Sequence, residues 1–377
     1  MKPKFIHNIP IVFLLILFGL LFSSCSTSRQ IDKKFKKEKT FEKGFSGLAV
    51  YDLERDKMIY ERNSGKYFTP ASNTKLFTFY TGLKVLGDSV PGLKYFIKND
   101  SLFFTGTGDP SLLNPDLPES PVLNFLKKHE ETLVYVAPLF EEEYFGPGWA
   151  WDDYNSYYSV ERTAFPIYGN RVHFQFPSDK KKPKVLPGIF TDSVFAEDLS
   201  EENSRITREL SRNRFSYSEK RPIKAAEQNV PFKYSSSLIV KMLSDTLQKK
   251  VGFVQAIPEG FGNARTLYSI PVDSMYKTML QVSDNFIAEQ LLLLSAGKLS
   301  DTLKADIAIK YMQKNHLKTL PDEIKWVDGS GLSRYNLFTP ASVVELLKLI
   351  YEEVPQERLF DLLAVGGVSG TIKNNYA

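Results

Sequence analysis

Ser72 and Lys75 stand three positions apart in the segment TPASNTKLFTFY, residues 69–80, where they could act as a nucleophile and its base. An unperturbed serine hydroxyl is a poor nucleophile and needs a proton acceptor within hydrogen-bond reach. Lysine has an unperturbed pKa of about 10.4, so burial or a neighbouring positive charge must first favour its free amine. Helical spacing places the two side chains on one face. Because Ser-x-x-Lys is a frequent pattern, the pair alone does not establish an active site.

A second copy of the first four letters offers a comparison within the same chain. In TPASVVELLKLI, residues 339–350, the residue three positions after Ser342 is Glu345, and Ser-x-x-Glu is a common helix-capping sequence. In both copies the threonine can cap a helix and the proline can occupy its first position. TPAS therefore predicts only that a helix begins, and Lys75 is the residue that needs a further explanation.

Ser283, Asp284 and Asn285 form the second candidate element, at the break between two apolar-periodic segments in QVSDNFIAEQ. Capping of the second helix by Asp284 or Asn285 would explain this pattern without catalysis. The functional interpretation gives Ser283 a hydroxyl that relays a proton to a leaving group, and gives Asn285 an amide that holds the substrate backbone. Ser-x-x-Lys together with Ser-Asp-Asn is a signature of penicillin-binding proteins and class A β-lactamases.

Composition narrows the class of protein. The 377 residues are 42% hydrophobic, which is enough for a large core and more than one domain. Because 48 basic residues nearly balance 44 acidic ones, the charge gives no support to nucleic-acid binding. The single cysteine, Cys25, excludes an internal disulfide and a cysteine-based metal cluster. The 4 histidines show no metal-ligand spacing, so a lysine base becomes the more interesting candidate.

Residues 1–25 have the pattern of a secretory signal, with two early lysines, an apolar stretch and then small residues. The apolar stretch, residues 9–22, is short for a membrane span. Ser23-Ser24-Cys25 resembles a bacterial lipobox, which predicts that Cys25 carries a lipid and anchors the protein to a membrane. An ordinary signal peptide with an incidental cysteine is the alternative. The lysine-rich residues 26–44 predict a flexible basic tether.

Periodicity predicts helix-rich segments on either side of a β-rich region. Residues 45–63 predict a hairpin with a polar turn at 54–57, and the helix that includes Ser72 should end near Leu86. Short aromatic, strand-like pieces then alternate with turn residues. Four helical segments follow from about residue 230, and a last helix follows Thr339. We therefore predict a discontinuous catalytic domain, residues 45–90 and 226–377, around a mostly β inserted region, residues 91–225.

The chain resembles the D-alanyl-D-alanine carboxypeptidases of peptidase family S13, the class C low-molecular-mass penicillin-binding proteins. Besides the two elements above, four segments are similar to family segments and occur in the same order: TGTGDPSL (105–112), GPGWAWDDYNSYYS (146–159), VDGSGLSRYNLFTP (327–340) and GVSGTIKNN (367–375). Together they cover most of the chain from about residue 45. The long separation between Ser72 and Ser283 also fits this family, whereas the two motifs lie much closer in class A β-lactamases.

The resemblance implies an α+β penicillin-binding-protein or serine β-lactamase-like transpeptidase fold, with a sheet flanked by helices. It implies that Ser72 attacks the penultimate D-alanine of a peptidoglycan stem peptide while Lys75 takes its proton. Ser283 would pass a proton to the departing D-alanine, Asn285 would bind substrate, and water would hydrolyse the acyl-enzyme. β-Lactams would trap the same serine. No metal or organic cofactor is implied, the expected location is the periplasmic side of the cell envelope, and the choice between carboxypeptidase and endopeptidase stays open.

The family's third motif, Lys-Thr-Gly, follows a segment similar to the last one quoted, and the sequence ends at SGTIKNNYA before reaching it. Lys373 belongs to the preceding segment and does not replace the missing lysine. Two hypotheses follow from this observation. The sequence is a fragment of a longer enzyme truncated before the motif, or it is an impaired envelope protein that binds peptidoglycan or partners without turnover. A β-lactamase is the less favoured third hypothesis.

Overall fold

The computed structural model describes residues 27–41, 43–176, 182–197, 206–218 and 227–375. The predicted leader, including Cys25, lies outside the described residues. The chain divides into two compact units. Unit 1 contains the described residues up to Phe68 with the segments Thr319–Ile324 and Leu337–Leu349. Unit 2 contains Thr69–Lys318, Lys325–Asn336 and the chain from Ile350 onward, and it holds all of the predicted catalytic residues.

Unit 1 is built on the predicted hairpin. Strands β1 (Leu48–Asp52) and β2 (Lys57–Arg62) pair antiparallel, as the turn sequence predicts. Within this unit the first turns of helix α8 (Pro340–Glu353) contact the hairpin region, where the Ala341 N–H donates to the Ser64 carbonyl at 3.0 Å. Residues 27–37 form helix α1 inside the segment for which the sequence predicts a flexible tether, and an ion pair of 2.7 Å between Asp32 and Lys36 lies along it.

Among its described residues, unit 2 contains five helices that the sequence predicts and two that it does not. The helix that follows Ser72, α2, ends at Val85, and Gly87 beyond it adopts a positive φ of 85°. The helices at 74–85, 236–247, 272–281, 285–300 and 305–315 lie where apolar patterns predict them, whereas those at 121–128 and 356–362 were not predicted. The helices are α2 (Thr74–Val85), α3 (Pro121–Lys128), α4 (Ser236–Leu247), α5 (Val272–Gln281), α6 (Asn285–Ser300), α7 (Ala305–Asn315) and α9 (Gln356–Leu362).

The described strands of unit 2 form three sheets. The largest has the order β12-β5-β4-β3-β13, and the other two have the orders β8-β10-β9 and β11-β6-β7. The strands are β3 (Ser89–Lys98), β4 (Ser101–Gly106), β5 (Thr132–Val136), β6 (Arg171–Gln175), β7 (Lys184–Leu186), β8 (Val194–Ala196), β9 (Thr207–Arg208), β10 (Phe215–Tyr217), β11 (Glu227–Pro231), β12 (Val251–Val254) and β13 (Arg265–Pro271).

The predicted α+β class is confirmed, since the described residues combine helices with sheets in which most strand pairs are antiparallel. The region predicted as mostly β contains β3 to β10 but also helix α3. Three of its strands pair with strands beyond residue 225, because β5 pairs with β12, β3 with β13 and β6 with β11. The five-stranded sheet therefore draws on both sides of that position, and the exact limits of an inserted domain stay a prediction. No helix among the described residues is long and apolar enough to cross a membrane.

Helix α6 is the centre of the helical part of unit 2. Every residue from Phe286 to Ala296 is buried, which is typical of a helix packed on all sides. Helix α5, which precedes it, packs on α2 through an edge-to-face contact between Phe79 and Tyr276, with ring centroids 5.0 Å apart. The first residue of α6 therefore emerges from a rigid core, which fixes the position of whatever side chains project from its start.

Candidate active site

Ser72 lies in a short 3-10 turn, Ala71–Asn73, that leads into α2. No side-chain hydrogen bond caps either this turn or α2. Ala71 has a φ of 47°, a left-handed conformation that is uncommon for a residue with a side chain. The turn leaves Ser72 exposed to solvent. The hydroxyl is therefore free to face a substrate rather than being used to cap the helix.

Lys75 lies on the first turn of α2 and is only 2% exposed. Its Nζ lies 3.1 Å from Ser72 Oγ, so the predicted pair is within hydrogen-bond reach. The same Nζ donates to Asn285 Oδ1 at 2.7 Å and to the carbonyl oxygen of Ser330 at 2.8 Å. Three acceptors thus hold the amine in one position, and one of them is the candidate nucleophile.

Burial lowers the pKa of Lys75 to about 8, even though the carboxylates of Glu289, Asp284 and Asp328 act in the opposite direction. Desolvation disfavours the charged ammonium, which is the physical reason for the direction. With this pKa roughly a tenth of the lysine is free amine at pH 7, against less than about a thousandth at its unperturbed pKa, so Lys75 can act as a general base. If Lys75 is the base, its pKa must be lowered, as the sequence analysis expects. In the structure the largest cause of the lowered pKa is burial.

The Ser-Asp-Asn element occupies the break between α5 and α6. Ser283 has a φ of 60°, and its hydroxyl donates to Ser72 Oγ at 2.9 Å. Asp284 caps α6, because its Oδ1 accepts the Ile287 N–H at 2.8 Å. The capping interpretation is therefore correct for Asp284. Asn285 has a different role, since its Oδ1 faces Lys75 and its Nδ2 donates to the Tyr158 carbonyl at 3.0 Å.

The segment 327–336 supplies a third side of the site through its two glycines. A Cβ atom on Gly331 would lie 1.9 Å from the carbonyl oxygen of Ala71, and one on Gly329 would lie 2.5 Å from that of Ala288. Such distances are far below van der Waals contact, so only glycine permits this packing. The segment is therefore held between the Ser72 turn and α6, with the Ser330 carbonyl directed at Lys75.

Asp328 stabilises this segment from inside. Its carboxylate is fully buried and accepts the N–H groups of Gly331 at 2.9 Å and Ser333 at 2.7 Å. It also accepts from the side chains of Asn336, at 2.6 Å, and Trp149, at 2.9 Å. A buried carboxylate with four donors is well satisfied, which makes the loop rigid.

The structure brings together the predicted residues Ser72, Lys75, Ser283 and Asn285, while Cys25 lies outside the described residues. Sequence analysis did not assign a role to the carbonyl groups of Tyr158 and Ser330. Both carbonyls belong to segments that resembled family segments, GPGWAWDDYNSYYS and VDGSGLSRYNLFTP. That resemblance was the available signal, although backbone atoms carry no residue type of their own.

This geometry is suited to nucleophilic acyl transfer. One hydroxyl faces solvent, a buried amine of lowered pKa contacts it from one side, and a second hydroxyl contacts it from another. A nucleophile, a base and a third group that orients the base are the components that activated serine sites require.

Comparison with known proteins agrees with this chemistry. Residues 27–377 match the sequence model of the D-Ala-D-Ala carboxypeptidase 3 (S13) family. The chain belongs to this family. This S13 peptidase is 23% identical over 363 residues to the D-alanyl-D-alanine carboxypeptidase DacB of Haemophilus influenzae, covering 86% of this chain and 75% of that protein. It is 24% identical over 379 residues to penicillin-sensitive carboxypeptidase A of Dictyostelium discoideum, covering 84% and 71% respectively.

The fold of the S13 peptidase is also similar to a solved structure. Penicillin binding protein 4 from Haemophilus influenzae matches with a TM-score of 0.67 and 22% sequence identity, covering 87% of this chain and 80% of that one. The predicted family and reaction class are confirmed. The reaction class is that of a serine-type D-Ala-D-Ala carboxypeptidase, a hydrolase acting on peptidoglycan. This substrate is consistent with a location in the cell envelope.

Proposed function

We propose that Ser72 is the nucleophile of this S13 peptidase and forms an acyl-enzyme with peptidoglycan stem peptides that end in D-Ala-D-Ala. The observation that carries the proposal is the convergence of Lys75 Nζ, at 3.1 Å, and Ser283 Oγ, at 2.9 Å, on the exposed hydroxyl of Ser72. Ser72 Oγ attacks the carbonyl carbon of the penultimate D-alanine. The proton of the hydroxyl passes to the free amine of Lys75, which then becomes an ammonium.

Collapse of the tetrahedral intermediate breaks the C–N bond to the terminal D-alanine. The leaving amine needs a proton, and Ser283 can deliver one because its hydroxyl lies 2.9 Å from Ser72 Oγ and therefore beside the reacting carbon. Lys75 then returns the proton that it gained to the Ser283 oxygen, since both groups contact Ser72 Oγ and therefore lie close to each other. Water then attacks the ester, Lys75 again acts as the base, and the serine is regenerated.

Asn285 positions both the base and the substrate. Its Oδ1 accepts from Lys75 and its Nδ2 donates to the Tyr158 carbonyl, so the amide is fixed in one orientation. A substrate that enters beside Ser72 meets this side chain at the wall of the site. We assign to Asn285 the binding of the substrate backbone. The same side chain holds Lys75 in place through its Oδ1.

β-Lactams should acylate the same serine, because their strained amide presents a carbonyl group to the nucleophile in place of the D-Ala-D-Ala peptide bond. A solved structure of penicillin binding protein 4 from Haemophilus influenzae contains a β-lactam. That finding concerns the relative, and it supports the use of a fluorescent penicillin as a probe here.

The decisive experiment is covalent labelling with fluorescent penicillin combined with D-alanine release from a D-Ala-D-Ala peptide. We expect the label on the tryptic peptide that contains Ser72, and Ser72→Ala should abolish labelling while leaving the thermal unfolding temperature nearly unchanged. Ser342→Ala is the matched control, since it changes the serine of the other TPAS segment and should remain labelled. Undiminished labelling of Ser72→Ala would rule out the nucleophile assignment.

A lipid anchor on Cys25 is the second part of the proposal, and the lipobox-like Ser23-Ser24-Cys25 sequence supports it. The lipid would hold the enzyme against a membrane on the periplasmic side, where peptidoglycan is accessible. In cells fed an alkyne-tagged fatty acid, the native protein should carry the tag, and Cys25→Ala should lose it and leave the membrane fraction. If Cys25→Ala is processed and fractionated like the parent, the lipobox interpretation is wrong.

A further inference from the structure

Glu289 lies one helical turn after Asn285 on α6 and is fully buried. Residues four apart on a helix lie on the same face, so Glu289 lies on the same face of α6 as Asn285, whose side-chain amide contacts Lys75. A buried glutamate is costly unless its carboxylate is paired or hydrogen-bonded. The reaction sequence above gives this carboxylate no task, which raises the question of what it does.

The hydrogen bonds of Glu289 connect it to the base through one residue. Its Oε1 accepts the N–H of Ser330 at 2.8 Å and the N–H of Gly329 at 2.9 Å. The carbonyl oxygen of the same Ser330 accepts from Lys75 Nζ at 2.8 Å. On the opposite side, Thr78 of α2 donates to the Gly329 carbonyl at 2.7 Å. The two residues of the turn are therefore fixed from both helices, and Glu289 supplies the fixation on the α6 side.

The charged groups around Glu289 and Lys75 come from several elements. Arg162 approaches Glu289 Oε2 at 3.6 Å, and that oxygen has no hydrogen-bond partner among the described residues. Asp328 faces both Glu289 and Lys75, and Asp284 acts on Lys75 from the start of α6. The two outer partners are Glu142, 2.7 Å from Arg162, and Arg171, 3.3 Å from Asp284.

We propose that Glu289 is a positioning residue, which holds the Gly329–Ser330 turn against Lys75 and whose negative charge helps to retain the proton on that lysine. This inference rests on the proposed role of Lys75 as the base. Burial raises the pKa of Glu289 to about 7. Its charge is therefore largely present at the pH, near 8, where Lys75 titrates, and it can act there. No substrate atom needs to touch Glu289 for this role.

Glu289→Gln separates the charge from the hydrogen bonds. The glutamine oxygen can still accept both backbone N–H groups, while the negative charge is removed. We expect the pKa of Lys75 to fall by roughly one unit, because two opposite charges that interact across one residue stabilise each other by about that amount at an effective dielectric constant near 20. The measurement is an NMR titration of the full-length protein with ¹³Cε-labelled lysine, in which Lys75→Arg assigns the signal.

Glu161→Gln is the matched control. Glu161 is also buried, at 2% exposure, and accepts a backbone N–H, from Tyr234 at 2.7 Å. It is not among the carboxylates that raise the pKa of Lys75. The Lys75 titration should therefore be unchanged in Glu161→Gln. An unchanged titration in Glu289→Gln as well would overturn the inference, since a purely structural glutamate would behave in that way.

Acylation kinetics supply a second and independent measurement. In Glu289→Gln the rise of the penicillin acylation rate with pH should move to lower pH, with a plateau within about threefold of the parent. Glu289→Ala removes the acceptor as well, and misplacement of the base should lower the plateau on the order of 10²-fold. If Glu289→Ala keeps the parental plateau, Glu289 does not position the turn.

The two sets of data separate failure of the inference from failure of the proposed function. If the parent protein is not acylated at Ser72 but the Lys75 titration shifts in Glu289→Gln, the nucleophile assignment fails while the link between Glu289 and Lys75 stands. If the parent is acylated and neither the titration nor the pH profile moves, the inference fails and the proposed function stands.

Discussion

The sequence Thr-Pro-Ala-Ser occurs at residues 69–72 and again at residues 339–342, and the two copies fold differently. At the second copy Pro340 begins α8, and Thr339 Oγ1 accepts the Ser342 N–H at 3.1 Å as a helix cap. At the first copy the proline precedes a left-handed Ala71 and a 3-10 turn, and α2 begins only at Thr74. The prediction of a threonine cap is confirmed for residue 339 and is wrong for residue 69.

The difference shows what converts a helix start into a candidate active site. Ser342 is fully buried, and its hydroxyl is used within the capping arrangement with Thr339 and the Asp322 carbonyl. Ser72 is exposed, and its hydroxyl is contacted by an amine and a second hydroxyl. The same four-residue sequence thus adopts different structures, because tertiary packing places different residues around each copy.

The largest expected effect is on the rate of penicillin acylation, and it comes from changing the residue three positions after each serine. Lys75→Ala should lower the rate of penicillin acylation by roughly 10²–10⁴-fold, the usual contribution of a general base. Glu345→Lys gives the second copy the same Ser-x-x-Lys pattern, yet in a Ser72→Ala background it should not create labelling at Ser342, whose hydroxyl is buried. Peptide mapping of the labelled protein checks both outcomes, and a label on Ser342 would contradict the importance we give to exposure.

The second expected effect is a pH dependence confined to the first copy. The proposed base Lys75 can accept a proton only in its neutral form, and burial lowers its pKa to about 8. The acylation rate should therefore rise about tenfold per pH unit below pH 8 and level off above it. At pH 6 it should be on the order of 10²-fold below the plateau, as measured by stopped-flow labelling. A flat profile between pH 6 and pH 9 would show that Lys75 is not the base.

The third expected effect compares the glycines that approach the two copies. Gly331 has a φ of 86°, and its Cβ would meet the backbone of Ala71, whereas the Cβ of Gly47 would meet side-chain atoms of Phe68 and Pro340. Side chains can move more easily than backbone, so Gly331→Ala should cost roughly 2 kcal/mol or more of unfolding free energy. Gly47→Ala should cost less, and only Gly331→Ala should slow acylation.

Denaturant unfolding and labelling of the same variants test this comparison. Gly262→Ala is a suitable reference, since a Cβ there would have no neighbour within 4 Å. Equal losses of stability in the variants at residues 331 and 47, with normal acylation in both, would show that the close approach to Ala71 does not shape the site.

The smallest expected effect concerns the two threonines. Thr339→Ala removes a helix cap and a 2.7 Å hydrogen bond to Asp322, and it should lower the unfolding free energy by about 1 kcal/mol. Thr69→Ala should change stability by only a few tenths of a kcal/mol, because α2 starts without a side-chain cap. Neither change should affect labelling of Ser72. A larger loss for Thr69→Ala than for Thr339→Ala would reverse the comparison.

Much of the local structure could be predicted from the sequence. Apolar periodicity and turn residues predicted the β1–β2 hairpin, the end of α2 near Gly87 and the helices that flank Ser283. Helix α3 was not predicted within the region taken as mostly β, and neither were the long-range pairs of β5 with β12 and β3 with β13. Strand pairing depends on partners far away in sequence, and local patterns do not specify it.

The side chains of the candidate site could be predicted from the sequence, whereas its backbone groups could not. Ser72, Lys75, Ser283 and Asn285 were recognisable because their types and spacing match a catalytic signature. The position of the Ser330 carbonyl is fixed by the close packing of Gly329 and Gly331, and this packing is visible only in the folded structure. Glu289 gave no signal of its own, since a glutamate within an apolar helix is equally compatible with an exposed position.

The burial of every residue from Phe286 to Ala296 of α6 has a consequence for how the protein can change over evolutionary time. A helix rotates by about 100° per residue, so adding or deleting a single residue after Asn285 would turn Glu289 away from the Ser330 loop. It would also turn an apolar flank of the helix toward the buried carboxylates. Side chains along this helix can be exchanged, but its length cannot drift by one residue. In remote members of the family, alignment gaps should therefore fall in the surrounding loops and leave residues 285–296 uninterrupted.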